Sequence, residues 1–269
     1  MDYRMIVLDL DGTLTNRNKE ITPRTREALF ELKRQGGVIV LASGRPTYGV
    51  MPLARELELD KSGGYVLSFN GGRMIDCRTG ETVFARELPV SSNRKIIGMA
   101  KEYGVNILTY EDDLIITPDA GDEYVGREAF INKLQVKEVP DMEEYVRFPV
   151  VKFMMLEEGD YLAMAEPKVK AALGRDYSVY RSEPYFLEIL PKGIDKASGL
   201  ERLLAMLGMK REEMIACGDG YNDLSMIRYA GLGVAMENAV LPVKKAAGFV
   251  TFSNNDDGIA HVVEKFMLS

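Results

Sequence analysis

The chain is poor in the residues that most often build metal and redox centres: 269 residues include only two cysteines and one histidine. Cys77 and Cys217 lie far apart with no CxxC spacing, which argues against a disulfide framework and a zinc site. Both are expected to be core residues, and His261 a structural residue of the C-terminal helix. No apolar run approaches the ~18 residues of a membrane span. No basic stretch followed by an apolar segment opens the chain either, so no membrane association and a cytoplasmic location are expected. Positive charge is also short, with 34 Lys and Arg against 41 Asp and Glu and a net charge of -7. There is no Lys/Arg cluster or RNA-binding motif, which argues against nucleic acid as a partner. An acidic protein that handles anions needs local positive charge, from a metal or a few placed lysines.

What is present is an alternating pattern, and with 46% hydrophobic residues it can bury a large core. "MIVLDL" is a short apolar run. "TPRTREALFELKRQG" carries apolar residues at helical spacing after a Thr-Pro start and before a Gly stop, and "GVIVLAS" is again continuously apolar. This is a βαβ unit. Continuous hydrophobicity in both strands predicts parallel strands covered on both faces, as in a doubly wound Rossmann-like sheet. The C-terminal part repeats it, with "EEMIACGD", "LGVAM" and "GFVTFS" as strands between helices. The 15 methionines are scattered and read as core filler.

The middle differs. "NILTYEDDLIIT", "VKFMML", "YSVYRS" and "YFLEIL" suggest antiparallel strands with one covered face, accompanied by the helices "SSNRKIIGMAKEYG" and "YLAMAEPKVKAALG". We read residues 84–190 as an α+β insertion of domain size, between core segments 1–83 and 191–269.

In doubly wound sheets ligands bind at the carboxyl ends of the strands, so the polar residue that ends each strand is a candidate. The first strand ends in Asp9 and Asp11, the second in Ser43 and Gly44, and a later one in "CGDGYND", presenting Asp219, Asn222 and Asp223. Any one of these alone reads equally well as a helix cap or a turn. Together they crowd carboxylates at one sheet edge, where they repel unless a cation sits among them. All candidate ligands are oxygens, which suits magnesium. Lys196, at a helix start, opposes the helix dipole unless an anion sits there.

These segments, "DLDGTLT", "ASGRP", "GIDKASGL" and "GDGYNDLSMIRYAGLGVAMENA", resemble the four motifs of the haloacid dehalogenase (HAD) superfamily. Within it they are similar to the Cof-type phosphatases, which carry a large α/β cap between the second and third motifs. "FNGG" and "VTFSNNDDGIAHVVEKF" resemble further stretches of that family. The resemblance implies a phosphatase acting through an aspartyl-phosphate. Asp9 would be the nucleophile and Asp11 the general acid and base. Asp9, the Asp11 carbonyl and Asp219 would hold Mg2+, with Asp223 supporting them. The Leu10 backbone, Ser43, Gly44, Lys196 and Asn222 would grip the phosphoryl oxygens. The partner implied is a small phosphorylated metabolite, preferentially a sugar phosphate. A nucleotide or pyridoxal phosphate, or phosphomutase activity on the same machinery, remains open. The DxD pair weighs against the carbon-attacking dehalogenase branch, and a separate insertion weighs against a receiver domain.

Overall fold

The computed structural model describes residues 3–268, which divide into two compact units: 3–84 together with 195–268, and 85–194. The first unit opens with β1 (Met5–Leu8), β2 (Val38–Ala42), β3 (Tyr65–Ser68), β4 (Arg73–Asp76) and β5 (Thr82–Ala85). The second holds β6 (Asn106–Glu111), β7 (Leu114–Thr117), β8 (Gln135–Glu138), β9 (Phe153–Leu156), β10 (Tyr177–Glu183) and β11 (Phe186–Pro191). The chain then completes the first unit with β12 (Met214–Gly218), β13 (Leu232–Ala235) and β14 (Phe249–Val250). Among the described residues no helix is long and apolar enough to cross a membrane.

The first unit is an eight-stranded sheet in the order β14-β13-β12-β1-β2-β3-β4-β5. Six strands, β14 to β3, run parallel, with Met5 in register with Val38 on one side and Met214 on the other. β4 turns back antiparallel to β3. Alternate residues of β1 serve opposite faces: Ile6 and Leu8 join one buried cluster with Ile39, Leu41 and Val263, while Met5 and Val7 join another with Val40, Leu200 and Leu203. Each such side chain contributes about 1.5–3 kcal/mol over leaving it exposed, so both faces hold the strand in place. Cys217 and Cys77 are buried and unpaired in this core.

Local signals set the flanking helices. Pro23–Arg34 starts with Thr22 accepting from the Thr25 N–H and Pro23 in the first turn, and ends on Lys33 and Arg34, which suit its negative end. Lys196–Leu207 starts with a reciprocal cap between Asp195 and Ser198 and stops at Gly208, whose φ is 62°.

The second unit's sheet runs β10-β11-β9-β6-β7-β8. Its neighbours are antiparallel except β7 and β8. The expected single covered face is corrected at the centre of the sheet, where every residue of β9 and β11 is buried. Phe153, Met155, Leu187 and Ile189 pack on one side, and Met154, Leu156 and Phe186 on the other. The helix Glu123–Asn132 covers that second side with Val125, joined by the partly buried Tyr124 and Ala129. Two of the buried polar residues there, Lys152 and Glu188, pair at 3.1 Å.

Candidate active site

β12, β1 and β2 are adjacent, so the segments leaving their carboxyl ends meet. Asp9 follows β1, Ser43-Gly44-Arg45 follows β2, and Asp219 follows β12 into a tight turn at Tyr221–Asp223. Asp9, Asp11, Ser43, Gly44, Arg45, Asp219, Gly220, Asn222 and Asp223 line one cavity of about 200 Å³. Leu10 and Lys196 are not among the lining residues. The Leu10 side chain is in the core and its carbonyl accepts from Thr15. Its N–H is therefore the one donor it can offer.

Lys196 is fully buried, yet it is tied to the site: its Nζ donates to Asp9 Oδ1 at 2.5 Å and to Asp223 Oδ1 at 2.6 Å. An ammonium at a helix start is thus offset by two carboxylates, and one of its three N–H donors remains. Asp223 Oδ2 accepts the N–H groups of Asp219 and Gly220, both at 2.9 Å. Both oxygens of Asp223 are therefore committed to protein donors. Asp219 Oδ1 accepts from the Thr13 hydroxyl at 2.8 Å. The Ser43 hydroxyl accepts from the Arg45 N–H at 3.1 Å, and Asn222 Nδ2 donates to Asn70 Oδ1 at 3.1 Å.

The electrostatics separate these carboxyls. Burial, reinforced by Asp223 and Asp219 and opposed by Lys196, pushes Asp9 up to about 8. Burial likewise lifts Asp219 to about 6, with Asp223 adding to it and the Thr13 bond opposing it. Asp11 goes the other way: desolvation would raise it, but the Arg45 and then Lys19 contacts hold it below the ordinary carboxylate range. Lys196 is raised, because Asp223 and Asp9 outweigh its burial.

One oxygen each from Asp9, Asp219 and Asp223 can lie within 4.8 Å of the others. Carboxylates forced this close, with Asp9 and Asp219 pushed toward protonation, fit a cation among them. The donors are all oxygen, as magnesium prefers. The other candidate ligand types are engaged elsewhere: burial raises the Cys217 thiol, while His261 bonds Thr251 at 3.0 Å and stacks on Phe252.

Several residues of the site carried no local signal. Thr13 reaches Asp219 across 206 positions, and Arg45 reaches Asp11 across 34. Asn70 has φ of 53°, and its N–H donates to the Ser43 carbonyl at 2.9 Å. Gly12 has φ of +85°, and a Cβ there would sit 2.4 Å from Asp219 Oδ2. Gly12→Ala is accordingly expected to cost roughly 1–3 kcal/mol of stability and to lower activity by displacing Asp219. Thermal unfolding and steady-state kinetics check this, and wild-type values in both would contradict it.

The chain matches a family of haloacid dehalogenase-like hydrolases over residues 6–263. A haloacid dehalogenase-like hydrolase from Bacteroides thetaiotaomicron is 48% identical, with a TM-score of 0.94 over 98% of this chain and 99% of that one. The HAD subclass IIB sugar phosphatase BT4131 is 25% identical, with a TM-score of 0.81 over 99% of this chain and 100% of its own. A Streptococcus pyogenes protein, itself only provisionally named a phosphatase, is 32% identical over the full length of both chains. The fold thus has its counterpart in known proteins, and the chain belongs to the haloacid dehalogenase-like hydrolases as a phosphatase of that superfamily.

Proposed function

We propose that the protein is a Mg2+-dependent phosphatase of small phosphorylated metabolites, with sugar phosphates as its preferred class, working through a phosphoryl group carried on Asp9. The observation that carries the reading is the gathering of Asp9, Asp219, Asp223 and Lys196 beside one small cavity. Asp9 Oδ1 is held by Lys196, which leaves Oδ2 to attack phosphorus. The new P–O bond forms as the ester P–O bond breaks, and Asp11 gives its proton to the departing alkoxide. Asp11 then takes a proton from water as that water attacks phosphorus and frees Asp9. Splitting hydrolysis in this way replaces one hard step by two easier ones. The N–H groups of Leu10 and Gly44, with Ser43, Asn222 and Lys196, supply donors where negative charge gathers.

Asp9, Asp219 and the Asp11 carbonyl would hold the magnesium ion, with Asp223 orienting its neighbours, and the ion when bound would neutralise phosphoryl charge. Thorough chelation is expected to abolish hydrolysis of p-nitrophenyl phosphate, and added Mg2+ to restore it. Turnover that survives chelation would overturn the metal assignment.

Asp11→Asn retains the backbone carbonyl and the nucleophile. It is expected to lose about 10²- to 10⁴-fold with alkyl phosphates, and less with p-nitrophenyl phosphate, whose leaving group hardly needs a proton. Equal losses on both would remove Asp11 from the acid role.

The sugar-phosphate preference is supported by likeness to the sugar phosphatase. We assign the choice among substrates to the inserted unit, residues 85–194. A screen of phosphorylated metabolites with Mg2+ present tests the class. Hexose or pentose phosphates should lead it, whereas a nucleotide or pyridoxal phosphate in first place would replace the class, and a phosphopeptide would overturn the small-metabolite reading.

A further inference from the structure

Asp11 is not poised to serve a leaving group. Its Oδ2 accepts Arg45 Nε at 2.7 Å, and its Oδ1 accepts both Arg45 Nη2 and Lys19 Nζ at 2.6 Å. A two-pronged guanidinium clamp of this kind is among the strongest side-chain contacts, and it fixes the carboxylate's plane. Arg45 also lines the cavity, directly after the Ser43-Gly44 turn.

The charges of the site say where Arg45 can go. Four carboxylates face or flank the cavity; of the other two cations tied to them, Lys196 is buried and bound to Asp9 and Asp223, and Lys19 sits on Asp11 and does not line the cavity. A phosphoryl dianion entering this field needs a mobile counter-charge. Arg45 is the cavity-lining cation, and its fork matches two phosphoryl oxygens as well as it matches two carboxylate oxygens. The second clamp on Asp11 matters here. Lys19 keeps an ion pair on Oδ1 when the guanidinium leaves, so the exchange does not strand the carboxylate without a partner.

We propose that Arg45 is a ligand of the substrate's phosphoryl group which, without substrate, latches Asp11. Phosphate binding moves the guanidinium from Asp11 to the phosphoryl oxygens and frees Asp11 for proton transfer, so the acid becomes available only when there is an ester to cleave. No bond is made or broken in the exchange; two hydrogen-bonded ion pairs trade partners. The inference rests on the phosphatase mechanism above, with Asp11 as its acid.

The test compares wild type, Arg45→Lys and Arg45→Gln by calorimetric titration with inorganic phosphate in the presence of Mg2+, and by kinetics on p-nitrophenyl phosphate. Circular dichroism melts establish that each variant is folded. Arg45→Gln is expected to bind phosphate at least about 10-fold more weakly and to raise KM in proportion, consistent with loss of one charged, hydrogen-bonded pair. Arg45→Lys should recover part of the affinity, and millimolar guanidinium should recover part of the Arg45→Gln loss. Wild-type phosphate affinity in a folded Arg45→Gln would overturn the proposal, because a residue that only orders Asp11 changes kcat and leaves phosphate binding alone. If both variants prove unfolded, Lys19→Gln decides: it should leave phosphate affinity within about 3-fold, and a larger loss would assign the phosphate contact to Lys19 instead. Failure of the underlying mechanism reads differently, as wild-type enzyme lacking Mg2+-dependent turnover.

Discussion

Asp9→Asn is expected to reduce turnover by about 10⁵-fold or more while leaving the protein folded. The substitution keeps the shape of the side chain and an acceptor oxygen for Lys196 Nζ, which lies 2.5 Å from Oδ1 in the native protein. What it removes is the anionic oxygen that attacks phosphorus and one carboxylate of the acidic cluster. Because burial already works against the charge on Asp9, neutralising it should not lower the melting temperature by more than a few degrees. Loss of activity accompanied by global unfolding would leave the nucleophile unassigned to Asp9. Residual turnover within about 100-fold of wild type would contradict the assignment outright.

The second large effect is on stability. Lys196→Met fills a similar volume but leaves Asp9 and Asp223 buried without their shared cation. Removing one partner of a buried ion pair typically costs about 3–5 kcal/mol. The cost here should depend on pH. A carboxyl raised above its unfolded value binds a proton in the folded state that the unfolded chain has lost, so stability falls as pH rises from the unfolded value of 3.8 toward the folded value near 8. Without Lys196 that folded value moves higher, so the variant's deficit should be greatest near pH 8 and shrink near pH 5, where Asp9 holds its proton. Urea denaturation at the two pH values measures it. A deficit that stays constant across them, or stays under about 1 kcal/mol, would show that the pair contributes little.

The sequence carried the core fold well where burial is two-sided. β1 and β2 are continuous apolar runs because both faces are covered, and the helix between them carries its cap, its proline and its basic end in plain order. The antiparallel extension was less legible. β4 and β5 sit at one margin of the sheet and mix Arg73, Asp76 and Thr82 with apolar residues, so no two-residue alternation stands out. In the second unit the buried Lys152 and Glu188 disguise strands that are covered on both sides. At the site, residues that end strands were readable, since the sheet's topology brings strand ends together. Partners that reach across the fold were not. Nothing local to Arg45 says that its guanidinium lies on Asp11, and nothing local to Thr13 says that it bonds Asp219. The left-handed backbone at Asn70, which sets its amide beside Asn222, is equally invisible in "FNGG".

The central claim is that phosphorus is attacked twice, first by Asp9 and then by water. The stereochemical course at phosphorus tests it most directly, using a substrate whose transferred phosphoryl group is made chiral with oxygen isotopes and a sulfur label. Two in-line displacements invert the centre twice, so the expected product shows net retention of configuration. Net inversion would mean a single direct attack by water and would contradict an intermediate carried on Asp9.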